Sequence, residues 1–234
     1  LLMSRRVWGR DPLGKIDRAI ELALGVGAPL VVVHPPYRWQ SAYRRWLDEA
    51  LSEAGASAAL GLWVMIETPL SILNIKDIAS TAQTTRLSGF VMGSNDLIKD
   101  FRAEPMPGRE NLAACYTLAI AAARAYDLLV FDGVYNDIAN ADGFVAESKQ
   151  AKAFGFDGKT LIHPTQVEPC NTIFAPPAEA VQQSRDVIAA FADPANAGKG
   201  VLKVNGKMTE LLHLAQARRM VAVAEAIAQR EAVQ

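Results

Sequence analysis

Cysteine is nearly absent. Cys115 and Cys170 are the only two in 234 residues and lie far apart. That excludes a disulfide framework and a cysteine-rich zinc pattern, and it suits a reducing cytosol. An excess of charge of either sign is also missing. Lys and Arg number 24 against 25 Asp and Glu, for a formal net charge of −1. There is no electrostatic footprint for nucleic acid or for an anionic membrane surface. An anionic ligand would have to be held by a local arrangement. No apolar run reaches the ~18 to 20 residues of a membrane helix. Arg5, Arg6, Arg10, Asp11 and Lys15 break up the start, where a leader peptide would continue into an apolar stretch. The expectation is a soluble, cytoplasmic protein with no membrane or nucleic-acid partner. Walker loop, G-x-G-x-x-G and nucleophile elbow are all lacking, and Gly198-Lys199-Gly200 has none of the framing of a phosphate loop.

What is present is apolar and regularly interrupted. Hydrophobic residues make up 50% of the chain, enough for one sizeable core. Short apolar runs alternate with longer stretches of helical spacing. The runs are Leu30 to Val33, Leu62 to Ile66, Gly89 to Met92, Leu128 to Phe131 and Thr160 to Ile162, with a possible sixth near Leu1 to Val7. The helical stretches are Asp17 to Leu24, Leu47 to Leu60, Ile72 to Ala82, Leu112 to Tyr126, Phe144 to Phe154, Ala178 to Phe191 and Met208 to Arg230. Continuous apolar runs suit strands buried on both faces. Their alternation with helices predicts an α/β fold with a parallel sheet.

Polar residues recur just after these runs: His34, Glu67, Asp96, Asp132 and His163. In a β/α barrel the strand ends converge on one mouth, where catalytic groups sit, so the pattern favours a TIM-type barrel over an open sheet. A closed barrel needs eight strands, so this one is expected to lack some at its N-terminal side. Residues 1–192 read as the barrel. Residues 193–234 read as a C-terminal helical lid or arm, set off by the loop with Pro194, Gly198 and Gly200.

Glu67 and Asp96 are the candidate metal ligands. Two carboxylates at successive strand ends suit magnesium, which takes one or two and fills its octahedron with water and substrate oxygens. Either acid reads equally as a cap for the helix that follows. Asp132 is a candidate site acid, or a turn residue before Gly133. Lys159 and His163 bracket the last run and could bind an anionic ligand, although a lone lysine before a strand is commonly solvated. His34 reads as a core-edge residue and His213 as structural.

Five motifs, in order, resemble the citrate lyase beta-subunit-like proteins of the HpcH/HpaI aldolase superfamily. They are MIETPLSILNIKDIA at Met65 to Ala79, GFVMGSNDLIKD at Gly89 to Asp100 and LLVFDGVYNDIANADGF at Leu128 to Phe144. GFDGKTLIHPTQVEPCN at Gly155 to Asn171 and GKGVLKVNGKMTE at Gly198 to Glu210 follow. The resemblance implies a barrel in a homotrimer or hexamer that makes or cleaves a carbon–carbon bond in a β-hydroxyacyl-CoA of the malyl-, citramalyl- or citryl-CoA type. It implies Glu67 and Asp96 as Mg2+ ligands, and Lys159 and His163 near the coenzyme. Glu210 would stand where relatives place a carboxylate, usually aspartate, that closes over a neighbouring subunit's site.

Two departures qualify that reading. The family's acidic "DLED"-like segment and its "R-x-N" arginine should precede Glu67, and neither is found there. Arg109-Glu110-Asn111 has the spacing but follows Gly93 to Asp96, the segment that the resemblance implies as the metal loop, so it is not equated with that arginine. Residues 1–45 are atypical. DRAIELALGVGAPLVVVHPPYRWQ at Asp17 to Gln40 resembles a piece of sugar isomerase/endonuclease-type barrels instead. The alternatives are therefore a thioester hydrolase on the same scaffold, a barrel crippled by loss of the arginine and, more remotely, a sugar isomerase.

Overall fold

The computed structural model describes residues 30–33, 51–53 and 60–232, together with positions 25, 55 and 57. The expected strand near Leu1 to Val7, the helix over Asp17 to Leu24 and His34 lie outside the described residues. The chain divides into two compact units, Leu1–Ile173 and Phe174–Gln234.

In the first unit, β1 (Leu30–Val33), β2 (Gly61–Ile66), β3 (Leu87–Met92), β4 (Leu129–Asp132) and β5 (Gly158–Lys159) form one sheet in the order β1-β2-β3-β4-β5. Every pairing is parallel. The helices are α1 (Pro69–Leu73), α2 (Ile75–Ser80), α3 (Ser94–Phe101), α4 (Ala113–Ala125), α5 (Ala141–Phe154) and α6 (Val167–Phe174). A run of parallel strands, each beside its sequence neighbour and joined through helices, is the α/β arrangement that the alternation called for.

Pairing register decides which side chains share a face. Ile66 pairs with Met92, Val91 with Phe131, and Asp132 with Lys159. Side chains alternate along a strand. Val64, Ile66, Phe90, Met92, Val130 and Asp132 therefore share one face, and all are buried. Met65, Val91 and Phe131 share the other. On that second face the Trp63 indole meets the Phe131 ring edge-on at 4.6 Å between centroids. It can lie there because its strand partner is Gly89, where a Cβ would stand 2.7 Å from the indole.

Three local expectations change. The single helix over Ile72 to Ala82 is broken at Asn74, whose side-chain amide and backbone N–H both donate to the Leu70 carbonyl and end α1. The last strand is Gly158–Lys159 and not Thr160 to Ile162, because the buried residue there is the charged Lys159 while Ile162 is 47% exposed. Met208 lies in a strand and not in the last helix.

The second unit holds α7 (Ala178–Ala192), β6 (Val201–Val204), β7 (Lys207–Glu210) and α8 (Leu211–Glu231). Strands β6 and β7 make an antiparallel hairpin, with Val204 opposite Lys207. Its two turn residues, Asn205 and Gly206, have φ of 50° and 80°, the positive pair that a two-residue hairpin favours. Helix α7, assigned by sequence to residues 1–192, belongs with this unit, since Val181 and Ser184 are buried as it packs along α8. Among the described residues no helix is long and apolar enough to cross a membrane.

Candidate active site at the strand ends

Glu67 directly follows β2 and is half-buried. It does not cap the helix after it. Thr68 does that: its hydroxyl accepts from Ser71 N at 3.0 Å, while Thr68 N donates to Ser71 Oγ at 3.0 Å. Pro69 then opens α1 with a preset φ. The next strand ends at Gly93, whose N–H donates to Ile66 O at 2.9 Å. Here glycine is a steric requirement, because a Cβ on Gly93 would lie 2.4 Å from Glu67 Cβ. Asp96 sits in the first turn of α3, half-buried, with Oδ1 2.8 Å from Lys99 Nζ. Its place in that turn complements the helix dipole.

The two carboxylates thus follow the ends of neighbouring strands, and the glycine between those positions in sequence makes room for Glu67. Among the described residues no group of three or more His, Cys, Asp or Glu gathers that could hold a metal ion. As ligands these two would offer carboxylate oxygens alone, which suit magnesium, a cation that keeps several waters, and not zinc.

Asp132 and Lys159 are placed differently. Strand alternation puts them on the face opposite Glu67, towards α4 and α5. Asp132 is 0% exposed, and Lys159 has a side-chain exposure of 0%. Arg109 Nη1 donates to both Asp132 oxygens at 2.8 Å. Lys159 Nζ donates to Asp132 Oδ2 at 2.8 Å, to Gly133 O at 2.7 Å and to Glu147 Oε1 at 2.6 Å. Gly133 N donates to Asp132 Oδ1 at 2.8 Å. Arg109 also reaches Gln150 Oε1 through Nε and Nη2, at 2.9 and 2.7 Å, and its Cζ stands 5.0 Å from the centre of the Tyr116 ring. Two cations and two carboxylates close on one another. A coenzyme phosphate could reach Lys159 only by displacing one of three oxygens, and Asp132 has no route to a substrate proton while this cluster is shut.

Burial works against the Arg109 charge, but Asp132, Tyr116 and Glu147 outweigh it and the pKa is raised. Burial pushes the Tyr116 phenol up to about 12, against the lowering effect of Arg109. Burial likewise raises the thiols of Cys115 and Cys170.

His163 follows β5 and is half-buried. Its Nδ1 accepts from Thr165 N at 3.3 Å and lies 2.8 Å from Thr165 Oγ1, so it caps the short 3-10 turn Pro164–Gln166. Gln166, buried, donates to Tyr135 O at 3.1 Å and joins this loop to the one after β4. Asn136 in that loop exchanges amide bonds with Asn95 in the first turn of α3 at 2.8 and 3.2 Å. The loops carrying Asp96, Asn136 and His163 are thereby tied together at one end of the sheet. Glu210, in the second unit, is half-buried and caps α8 in a reciprocal box, with its N–H donating to His213 Nδ1 at 3.0 Å. The structural reading of His213 holds.

Sequence reasoning did not assign a role to Arg109, Tyr116, Glu147 or Gln150, and took Ser94 only as part of the expected metal loop, Gly93 to Asp96. Arg109 takes a left-handed backbone conformation (φ 53°) and is only 6% exposed. Neither property shows in hydrophobic periodicity.

The model of the HpcH/HpaI aldolase/citrate lyase family matches residues 30–164. A (3S)-malyl-CoA thioesterase of Cereibacter sphaeroides is 44% identical over 169 residues, 72% of this chain and 58% of its own. The citrate lyase subunit beta of Escherichia coli K12 is 35% identical over 165 residues, 70% of this chain and 54% of its own. The chain therefore spans little more than half the length of these relatives. A solved structure of CitE from Mycobacterium tuberculosis, in complex with magnesium, acetoacetate and coenzyme A, superposes with a TM-score of 0.60 at 25% identity. It covers 84% of this chain and 78% of that one.

Proposed function

We propose, from the premise that this chain belongs to the HpcH/HpaI aldolase/citrate lyase family, that it is a magnesium-dependent enzyme acting on a β-hydroxyacyl-CoA by carbon–carbon cleavage. The observation that supports this reading is that Glu67 and Asp96 follow the ends of the paired strands β2 and β3, with Gly93 leaving room for the Glu67 side chain. The magnesium and coenzyme A bound by the similar CitE structure support the choice of cation and of thioester.

Magnesium, when bound, polarises substrate oxygens and stabilises charge that develops on them. Glu67 and Asp96 would supply the anionic oxygens that hold it, and Asp96 would give up its pair with Lys99 to do so. In malyl-CoA the β-hydroxyl gives up its proton and the bond between the α- and β-carbons breaks. The electrons of that bond pass to the thioester carbonyl, and a proton then returns to the α-carbon. The products are glyoxylate and acetyl-CoA. Glu210 is the carboxylate assigned to proton transfer, delivered by one copy of the chain to the site of another within a homotrimer or hexamer. His163 lies on the loop assigned to the coenzyme. Asp132 and Lys159 take a scaffolding role, because their charges are spent on each other.

A second reading, hydrolysis to malate and free CoA, is favoured by the 44% identity to a malyl-CoA thioesterase. Chromatography of the products formed from malyl-CoA and magnesium separates the two. Acetyl-CoA with glyoxylate supports cleavage. Free CoA with malate replaces it by hydrolysis. No consumption contradicts both.

A further inference from the structure

We propose that Tyr116 and Ser94 are positioning residues that set the Asp96 loop for its cation, transmitting the rigidity of the buried Arg109–Asp132–Lys159 cluster to the first turn of α3. This inference rests on the magnesium reading of Glu67 and Asp96.

Ser94 is the first residue of α3, two before Asp96. The N-cap, Gly93, has no side chain to cap the helix; its N–H is held by Ile66 O, and Asn95 is tied to Asn136 on the exposed side. The buried tie of this turn is the Ser94 hydroxyl. It lies 3.1 Å from the Tyr116 hydroxyl, in a place where Ser94 is 9% exposed and Tyr116 0%. On its other side is Gly133, where a Cβ would stand 2.4 Å from Ser94 Oγ and 2.8 Å from Met92 O. Gly133 cannot yield, because its N–H is held by Asp132 and its carbonyl by Lys159. Tyr116 is held in turn by Arg109, whose Nη1 is 3.4 Å from the phenol oxygen and whose guanidinium covers the ring.

Ser94 is thus caught between a phenol and a peptide that the charge cluster fixes from the helix side of the sheet. Asp96 follows within the same helical turn. Magnesium demands near-ideal octahedral geometry at ~2.0–2.1 Å, so a loop free to shift by a fraction of that distance holds it less well. The cluster, remote from substrate, acts on the cation through these two hydroxyls.

The test is calorimetric titration of magnesium chloride into the full chain, with a thermal melt of each protein. Ser94→Ala and Tyr116→Phe remove one oxygen each. Tyr116→Phe keeps the ring and so retains the fold even if Ser94→Ala does not. Ile78→Val, in the α2 core, serves as a packing control, and Glu67→Gln as the ligand control. Each hydroxyl deletion is expected to weaken magnesium about tenfold or more, while Ile78→Val lowers the melting temperature and leaves the affinity unchanged. If Glu67→Gln abolishes binding but both hydroxyl variants bind like the wild type, the positioning role is overturned and the metal site stands. A wild-type chain that binds no magnesium, or a Glu67→Gln chain that binds it equally well, overturns the metal reading and this inference with it.

Discussion

A single nitrogen of Arg109, Nη1, donates to both carboxylate oxygens of Asp132 at 2.8 Å each, inside the layer between sheet and helices. Lys159 approaches the same carboxylate at 2.8 Å. Asp132 is therefore the joint acceptor of two cations that have little contact with water.

Replacing Asp132 by Asn keeps the shape and deletes the charge. Two buried cations would then face Glu147 alone. Removing one partner of a buried pair costs about 3–5 kcal/mol, so urea denaturation of Asp132→Asn should show a loss of that order. A loss below about 0.5 kcal/mol, as for a surface substitution, would show that the cluster does not hold the fold.

Alkaline pH should weaken the fold through Tyr116. Its pKa is raised from 10.0 to about 12 by burial, so the folded state favours the neutral phenol. That contribution is fully present below pH 10.0 and is lost as pH rises from there through about 12. At the alkaline end it is on the order of 2–3 kcal/mol. Tyr116→Phe should flatten the stability curve between pH 10.0 and about 12, measured by denaturation at each pH. An unchanged slope in the variant contradicts the assignment.

Gly93→Ala should damage the metal site more than the fold. The added Cβ meets Glu67 Cβ at 2.4 Å. Overpacking of this kind costs about 1–3 kcal/mol, and the displaced carboxylate loses its seat. Magnesium affinity and turnover should collapse while the circular dichroism spectrum remains that of the wild type. Wild-type affinity in this variant would show that the glycine does not set the position of Glu67.

Glu210→Ala tests two roles at once. As the N-cap of α8, its loss should cost roughly 0.5–2 kcal/mol, more than an ordinary exposed substitution. As the proton-transferring acid, its loss should abolish turnover. An inactive Glu210→Ala chain mixed with an inactive Glu67→Gln chain should regain partial activity in a verified mixed oligomer. Absence of recovery assigns Glu210 to its own chain's site, or to the helix cap alone.

The strands were legible because a strand buried on both faces reads as a continuous apolar run. Leu30 to Val33, Leu62 to Ile66 and Gly89 to Met92 all lie within observed strands. The strand-end acids were legible for the same reason, since Glu67 follows such a run directly. The charge cluster was not. Arg109 meets Asp132 and Gln150 from 23 and 41 residues away, and no local pattern encodes a pairing at that distance. Lys159 misled because a lysine ahead of an apolar run reads as solvated, whereas here it lies within the strand and is buried. The β6–β7 hairpin had its signal in Asn205-Gly206, but the strands beside it are four residues each, and Met208 was absorbed into the helical pattern that follows.

The most direct measurement is consumption of malyl-CoA by the full chain with magnesium, then with excess chelator, then with magnesium restored, beside Glu67→Gln under the same conditions. Turnover that needs magnesium, stops with the chelator, returns with the cation and is lost in Glu67→Gln is the expected result. Turnover that persists in the chelator, or that Glu67→Gln retains in full, would contradict a magnesium-dependent site at the ends of β2 and β3.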